Sequence, residues 1–189
     1  MSKSLIYKKR NNLALIPPGP GDFESIFLEI ILPCRKKLIV GCIYRHPSSK
    51  ISIDLFTNEH LEPLLQRISS ENKTCALMGD FNIDLLKIET VTNVSNYFNN
   101  LSSNFFAPYI LQPTTPISKS LIDNIFLNTI DYNSFSGNIT IQLSDHLFQF
   151  IILEGFFKDL IPRKIKIKER NFKIFNENEF SKSIKNMNL

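Results

Sequence analysis

The chain has 189 residues, 43% of them hydrophobic and 21% charged, which suits one globular domain with a real core. No apolar stretch nears the roughly 18 residues that cross a bilayer, and residues 1–12 lack the apolar centre of a secretory signal, so neither a membrane partner nor export is expected. The net charge of +4 is uneven: residues up to Phe156 sum to −1 and those from Phe157 onward to +5. A basic tail of that kind adds sequence-independent attraction to nucleic acid, or is simply a solvated linker. Cys34, Cys42 and Cys75 are odd in number and show no C-x-x-C spacing. That argues against zinc and for a reducing intracellular compartment, with Cys42 and Cys75 read as core residues of apolar runs.

In chain order, residues 1–16 read as a strand remnant, followed by a proline- and glycine-rich loop at 17–21. Residues 24–32 and 37–44 are rich in β-branched and aromatic side chains around a short polar turn, which predicts a β-hairpin. Apolar residues at 55, 56, 61, 64, 65 and 68 have helical spacing, with Pro63 marking a kink or a fresh start. His60 falls in this helix and reads as a surface residue. Residues 73–78 read as a buried strand running into Gly79-Asp80-Phe81-Asn82, and residues 91–105 as a second helix. A polar loop at 112–120 precedes predicted strands at 121–127, 138–143 and 147–153, the last two joined by Ser144-Asp145-His146. The Lys/Ile alternation at 163–168 reads as an exposed segment or an edge strand.

Three short segments carry chemistry. Asp80 and Asn82 are two apart, so an extended backbone sends both side chains to one face. A carboxylate there can hold water near a metal, and the amide can donate to a phosphate oxygen without adding repulsive charge. Alone, the four residues would be an ordinary aspartate turn. Asp123 interrupts the apolar run 121–127, where a carboxylate needs a partner or backbone donors. Of the three histidines, His146 stands at a strand junction and is the partner that suits Asp123. Such a pair fixes the imidazole tautomer and favours its charged form.

These segments resemble the endonuclease/exonuclease/phosphatase superfamily, and within it the endonuclease of non-LTR (LINE-like, jockey-like) retrotransposons. Residues 41–47 (GCIYRHP) are similar to that family's strand ending in tyrosine, and Gln112-Pro113-Thr114 to its loop before the I-D strand. The resemblance runs from about residue 24 to residue 153. It implies an α/β fold of two packed, mainly antiparallel β-sheets flanked by helices, a four-layer αββα sandwich. It implies a domain over residues 1–157 and a basic tail or linker over 158–189.

For function, the resemblance implies a metal-dependent phosphodiesterase that nicks target DNA to prime reverse transcription. Asp80 would orient the attacking water, Asn82 and His146 would contact the scissile phosphate, and Asp123 would hold His146. Tyr44 would line the phosphate site and Asp145 would help hold the metal, while Ser144, Thr114 and Arg45 are weaker substrate contacts. The ion implied is Mg²⁺, with Mn²⁺ as the alternative, and no small-molecule cofactor. DNA is the implied partner and the nucleus the implied place of action.

The family's opening asparagine strand and its principal metal-binding glutamate have no counterpart in residues 1–21. The expectation is therefore a domain incomplete at its amino-terminal side, part of the sheet core uncovered, and activity impaired. The other reading is a non-catalytic nucleic-acid-binding remnant or a decayed element fragment.

Overall fold

The β-branched runs near the amino terminus pair as their composition predicts. In this computed structural model, β1 (Ile6–Lys9), β2 (Phe23–Ile31) and β3 (Lys37–Arg45) form an antiparallel meander, with Glu24 opposite Tyr44. The structure describes residues 6–19, 21–31, 37–130, 132–140, 144–154 and 176–186. The turn predicted between β2 and β3, Cys34 and the Lys/Ile alternation at 163–168 lie outside them.

β4 (Thr74–Asp80) runs parallel to β3, and β6 (Asp123–Leu127) runs antiparallel to β4. With the short β5 (Ala107–Pro108) at the edge, the order is β1-β2-β3-β4-β6-β5. A second sheet holds β7 (Ser134–Ile139) and β8 (Phe148–Leu153). β7 therefore begins four residues before the strand expected at 138, and residues 141–143 fall outside the described set. Its polar residues look like a loop in sequence, yet they are satisfied by the neighbouring segment. Ser136 Oγ donates to the Tyr109 carbonyl at 2.6 Å, and Asn138 Nδ2 donates to the Pro113 carbonyl at 3.1 Å.

The expected kink at Pro63 takes a specific form. α1 (Ile53–Leu55) opens with Ser52 Oγ accepting from the Leu55 amide, widens into a π-helical stretch (Phe56–Leu61), and continues as α2 (Glu62–Ser70). A proline ring donates no hydrogen bond and crowds the carbonyl four residues back, so the widened turns give it room. α2 and α3 (Thr92–Ser103) bury Leu64, Leu65, Ile68, Val94, Tyr97 and Leu101 in the core that also holds Ile39, Ile43, Leu77 and Phe126 of the sheet. Phe81, just past β4, closes this core with its ring 5.4 Å from Phe126. His60 is not a free surface residue, for its ring stacks edge-on against Phe23 at 5.0 Å.

The sheet's other face is covered unevenly. Where β8 meets β6, Ala76, Ile125 and Leu127 are buried. Across β2 and β3 the same face is open: Ile26 is 48% exposed and Cys42 is exposed. Cys42 is thus not the core residue its apolar run suggested. Pleating turns it away from the helices, and the two-stranded sheet lies over β6 rather than over β3. Cys75 is buried as expected, and that burial pushes its thiol up to about 12.

At the end of β1 the chain ties itself to the sheet by ions. The Arg10 guanidinium donates to Glu29 at 2.8 Å and to both carboxylate oxygens of Glu71, and Lys73 reaches Glu71 at 2.5 Å and Glu29 at 3.2 Å. The hydrogen bond from Arg10, joined by that from Lys73, outweighs burial and holds the Glu71 carboxyl down at about 2. Its folded pKa is depressed, so the stability it contributes is present above the usual carboxylate range and is lost as pH falls from about 4.5 towards 2. Glu71→Gln is expected to cost roughly 1–3 kcal/mol at pH 7, the scale of hydrogen bonds to charged groups. Denaturant unfolding should show that difference shrinking as the pH is lowered through this window.

Residues 160–189 form a second compact unit. Its described helix α4 (Glu177–Lys185) carries Glu177 and Glu179 in the first turn and Lys182 and Lys185 in the last, the charge order that suits a helix dipole. No helix among the described residues is long and apolar enough to cross a membrane.

Candidate active site

Two carboxylates meet where β4 and β6 lie side by side. Asp80 ends β4 and is the register partner of Asp123, which begins β6. Like charges directly opposite on paired strands repel, so this register is unfavourable without compensation. Part of it comes from His146, whose Nδ1 lies 2.9 and 3.1 Å from the two carboxylate oxygens of Asp123. The pair expected from the sequence is therefore formed. Burial alone would lower the His146 pKa, but the hydrogen bond and charge of Asp123, with Asp80 and Asp145 adding, raise it. Burial, reinforced by the charge of Asp123, raises Asp80 despite the opposing Asn82 amide and His146.

Backbone geometry places these groups. Gly79 has φ +144°, and a Cβ there would stand 1.8 Å from the Ile43 carbonyl oxygen. Only glycine lets β4 lie this close to β3 just before Asp80. Past the strand end the chain turns sharply. Asn82 has φ +49°, its amide donates to Asp80 Oδ1 at 3.0 Å, and its Nδ2 donates to the Arg45 carbonyl at 2.7 Å. Asp80 and Asn82 are thus not on one face of a strand, as their spacing suggested. A local turn brings them together instead.

Tyr44 is the β3 register partner of Asp80, 38% exposed, with its ring 4.5 Å from that of His46. Asp145 is exposed and stands outside the cluster formed by Asp80, Asp123 and His146, whose ligand atoms all lie within 4.8 Å of one another. Ser144 supports the turn, its Oγ accepting from the His146 amide at 3.1 Å.

Thr114 and Arg45 are buried, and their side chains are engaged within the protein. Thr114 Oγ1 accepts from the amides of Ile122 and Asp123, and its carbonyl accepts from the Leu147 amide at 2.7 Å. One residue thereby ties the strand bearing Asp123 to the chain bearing His146. Arg45 points into the helix-side core, donates to the Ile51 carbonyl at 2.9 Å and sits 5.8 Å from the centre of the Phe56 ring. Strand alternation explains this: Tyr44 and Arg45 are adjacent, so they leave opposite faces.

Sequence reasoning missed Asp84, Lys87 and Lys119, which flank Asn82. The only signals were a capped turn in Asp84-Leu85-Leu86-Lys87 and a lysine between two serines.

The cluster suits a hard divalent cation. Two carboxylates that repel each other across a strand pair, one of them half-buried, are relieved by a cation bound between them, and oxygen donors match magnesium. His146 spends Nδ1 on Asp123, which leaves Nε2 for another partner.

No family model and no curated protein matches the chain. Solved structures do. The endonuclease domain of TRAS1, a telomere-specific non-LTR retrotransposon, matches over 79% of this chain and 67% of its own, at 11% identity and a TM-score of 0.54. An endonuclease/exonuclease/phosphatase from Beutenbergia cavernae matches over 78% of this chain at 15% identity and a TM-score of 0.56. The D. rerio TDP2, solved with a single-strand DNA product, matches over 78% of this chain and 67% of its own, at 15% identity and a TM-score of 0.50. The chain spans 44% of the length of the Beutenbergia protein. The likeness, at 11–15% identity, is one of fold: the chain has the α/β sandwich fold of the endonuclease/exonuclease/phosphatase structures it matches.

Proposed function

We propose that the chain is a phosphodiesterase core acting on DNA, of the kind that non-LTR retrotransposons use to nick a target and prime reverse transcription. The observation that carries this reading is the convergence of Asp80, Asp123 and His146 at adjoining strand ends, with His146 held through Nδ1.

Asp123 fixes the ring so that a proton on Nε2 faces the substrate side, and it favours the charged imidazolium, which stabilises charge gathering on the phosphate. Asp80 keeps one oxygen engaged by the Asn82 amide and offers the other to a water. That oxygen is placed to orient the water for attack on the phosphate. Asn82 Nδ2 is committed to the Arg45 carbonyl, so Asn82 stiffens the turn and borders the phosphate site. Asp80 and Asp123 would hold a magnesium ion, or manganese in its place, and the bound ion would supply Lewis-acid stabilisation of the phosphoryl oxygens. Asp145, next to His146 and exposed, would help hold the ion directly or through water.

The cluster holds two carboxylates and one imidazole and no glutamate among the described residues. Phosphoryl transfer relies heavily on charge stabilisation, so the proposal expects slow turnover. The test is incubation with an end-labelled duplex and Mg²⁺, with EDTA as control. The proposal expects slow, EDTA-sensitive cleavage leaving 3′ ends that a polymerase extends. Ends refractory to extension would contradict the priming role.

A further inference from the structure

Beside Asn82 lies a groove of about 780 Å³ that the proposed chemistry does not use. Its walls include Asn82, Asp84, Lys87, Asn93, Ser118 and Lys119. That volume falls within the roughly 300–1,000 Å³ typical of ligand sites.

Both walls are fixed by hydrogen bonds. Asp84 Oδ1 accepts from the amides of Leu86 and Leu121, at 3.2 and 3.0 Å, which ties the turn after Asn82 to the segment before β6. Its other oxygen lies 3.3 Å from Lys87 Nζ, so this carboxylate is already engaged. On the opposite wall, Thr115 Oγ1 lies 2.6 Å from the hydroxyls of both Ser118 and Ser120, and the Thr115 carbonyl accepts from the Lys119 amide at 2.8 Å. Lys119 itself is held at φ +52°, a conformation that is unfavourable for a lysine and persists only where the surroundings enforce it. Asn82, at φ +49°, borders both this groove and the acidic cluster.

We infer that this groove binds the nucleotide next to the scissile phosphodiester of a DNA strand, with its backbone phosphate between Lys87 and Lys119. The inference rests on the proposed phosphodiesterase reading and extends it to substrate contacts. The charge arrangement supports it. The acidic cluster repels a polyanion, and two lysines beyond Asn82 hold the strand where that repulsion fades. The partly exposed side chain of Ile122 in the lining offers a surface for sugar.

The experiment is fluorescence anisotropy of a labelled duplex oligonucleotide with the full chain across a salt series, comparing wild type, Lys87→Ala/Lys119→Ala and Lys8→Ala/Lys9→Ala. The last variant removes the same charge from the exposed β1 strand at the far edge of the sheet. Loss of both lysine contacts to that phosphate is expected to weaken binding at least about tenfold and to reduce the magnitude of the log–log salt slope by about 1. The β1 variant should bind like wild type. Equal losses in the two variants would reduce the effect to overall charge and overturn the groove assignment, as would no loss in the first. Wild-type chain that cleaves DNA while the groove variant binds normally would sink the groove alone. Wild-type chain that neither binds nor cleaves would sink both readings.

Discussion

Replacing His146 with alanine lowers the rate of DNA nicking by about 10²–10⁴-fold, the range for removing a positioned proton-transfer group. The loss has two sources. The imidazole and its Nε2 proton are gone from the phosphate side, and the Asp123 carboxylate loses the partner that both of its oxygens engage. Asp123 is 7% exposed, and both of its carboxylate oxygens lie within hydrogen-bond distance of His146 Nδ1. Without the ring, Asp80 and Asp123 face each other with less compensation, which favours a cation between them. The variant is therefore expected to bind Mn²⁺ no more weakly than wild type while cutting far more slowly. Single-turnover nicking and a metal titration on the same preparation separate these effects. A variant that cuts at the wild-type rate would remove His146 from the mechanism.

Gly79→Ala is expected to destabilise the chain by about 3 kcal/mol or more, the largest stability effect predicted here. The substitution adds a backbone clash to a conformation that non-glycine residues rarely adopt. The added carbon would stand 1.8 Å from the Ile43 carbonyl oxygen, and backbone yields less readily than a side-chain tip. Relief requires β4 to part from β3 at the point where Tyr44 sits opposite Asp80. Activity should therefore fall more than folding does in whatever fraction remains native. Denaturant midpoints, with nicking rates measured under strongly folding conditions, give both numbers. A midpoint within experimental error of wild type would show that the β3–β4 approach is softer than its geometry indicates.

Much of the fold is legible in the sequence because its signals are local. The hairpin over β2 and β3 follows from β-branched runs, and α3 from apolar residues three and four apart. What escaped depends on partners distant in the chain. β7 was placed too late because Ser136 and Asn138 look like loop residues until the carbonyls of Tyr109 and Pro113 are seen to accept from them. Cys42 looked like core because its neighbours are apolar, yet burial depends on which face the second sheet covers.

The site divides the same way. Asp123 was conspicuous as a charge in an apolar run, and His146 followed as its partner by residue type. The shared-face argument for Asp80 and Asn82 failed because β4 ends at Asp80 and the chain turns through a left-handed residue. Strand alternation sends Arg45 to the face opposite Tyr44, and Thr114 makes its contacts to backbone amides, which no side-chain pattern announces. Lys87 and Lys119 left no periodic trace, since two turns 32 positions apart bring them to one groove.

The most direct measurement is relaxation of supercoiled plasmid by the purified full chain in Mg²⁺, alongside an EDTA control and Asp80→Asn. The account predicts slow conversion to the open circle that EDTA abolishes and that Asp80→Asn reduces at least about a hundredfold. Conversion that survives both controls, or none from a chain shown to be folded, would contradict a cutting centre built on Asp80, Asp123 and His146.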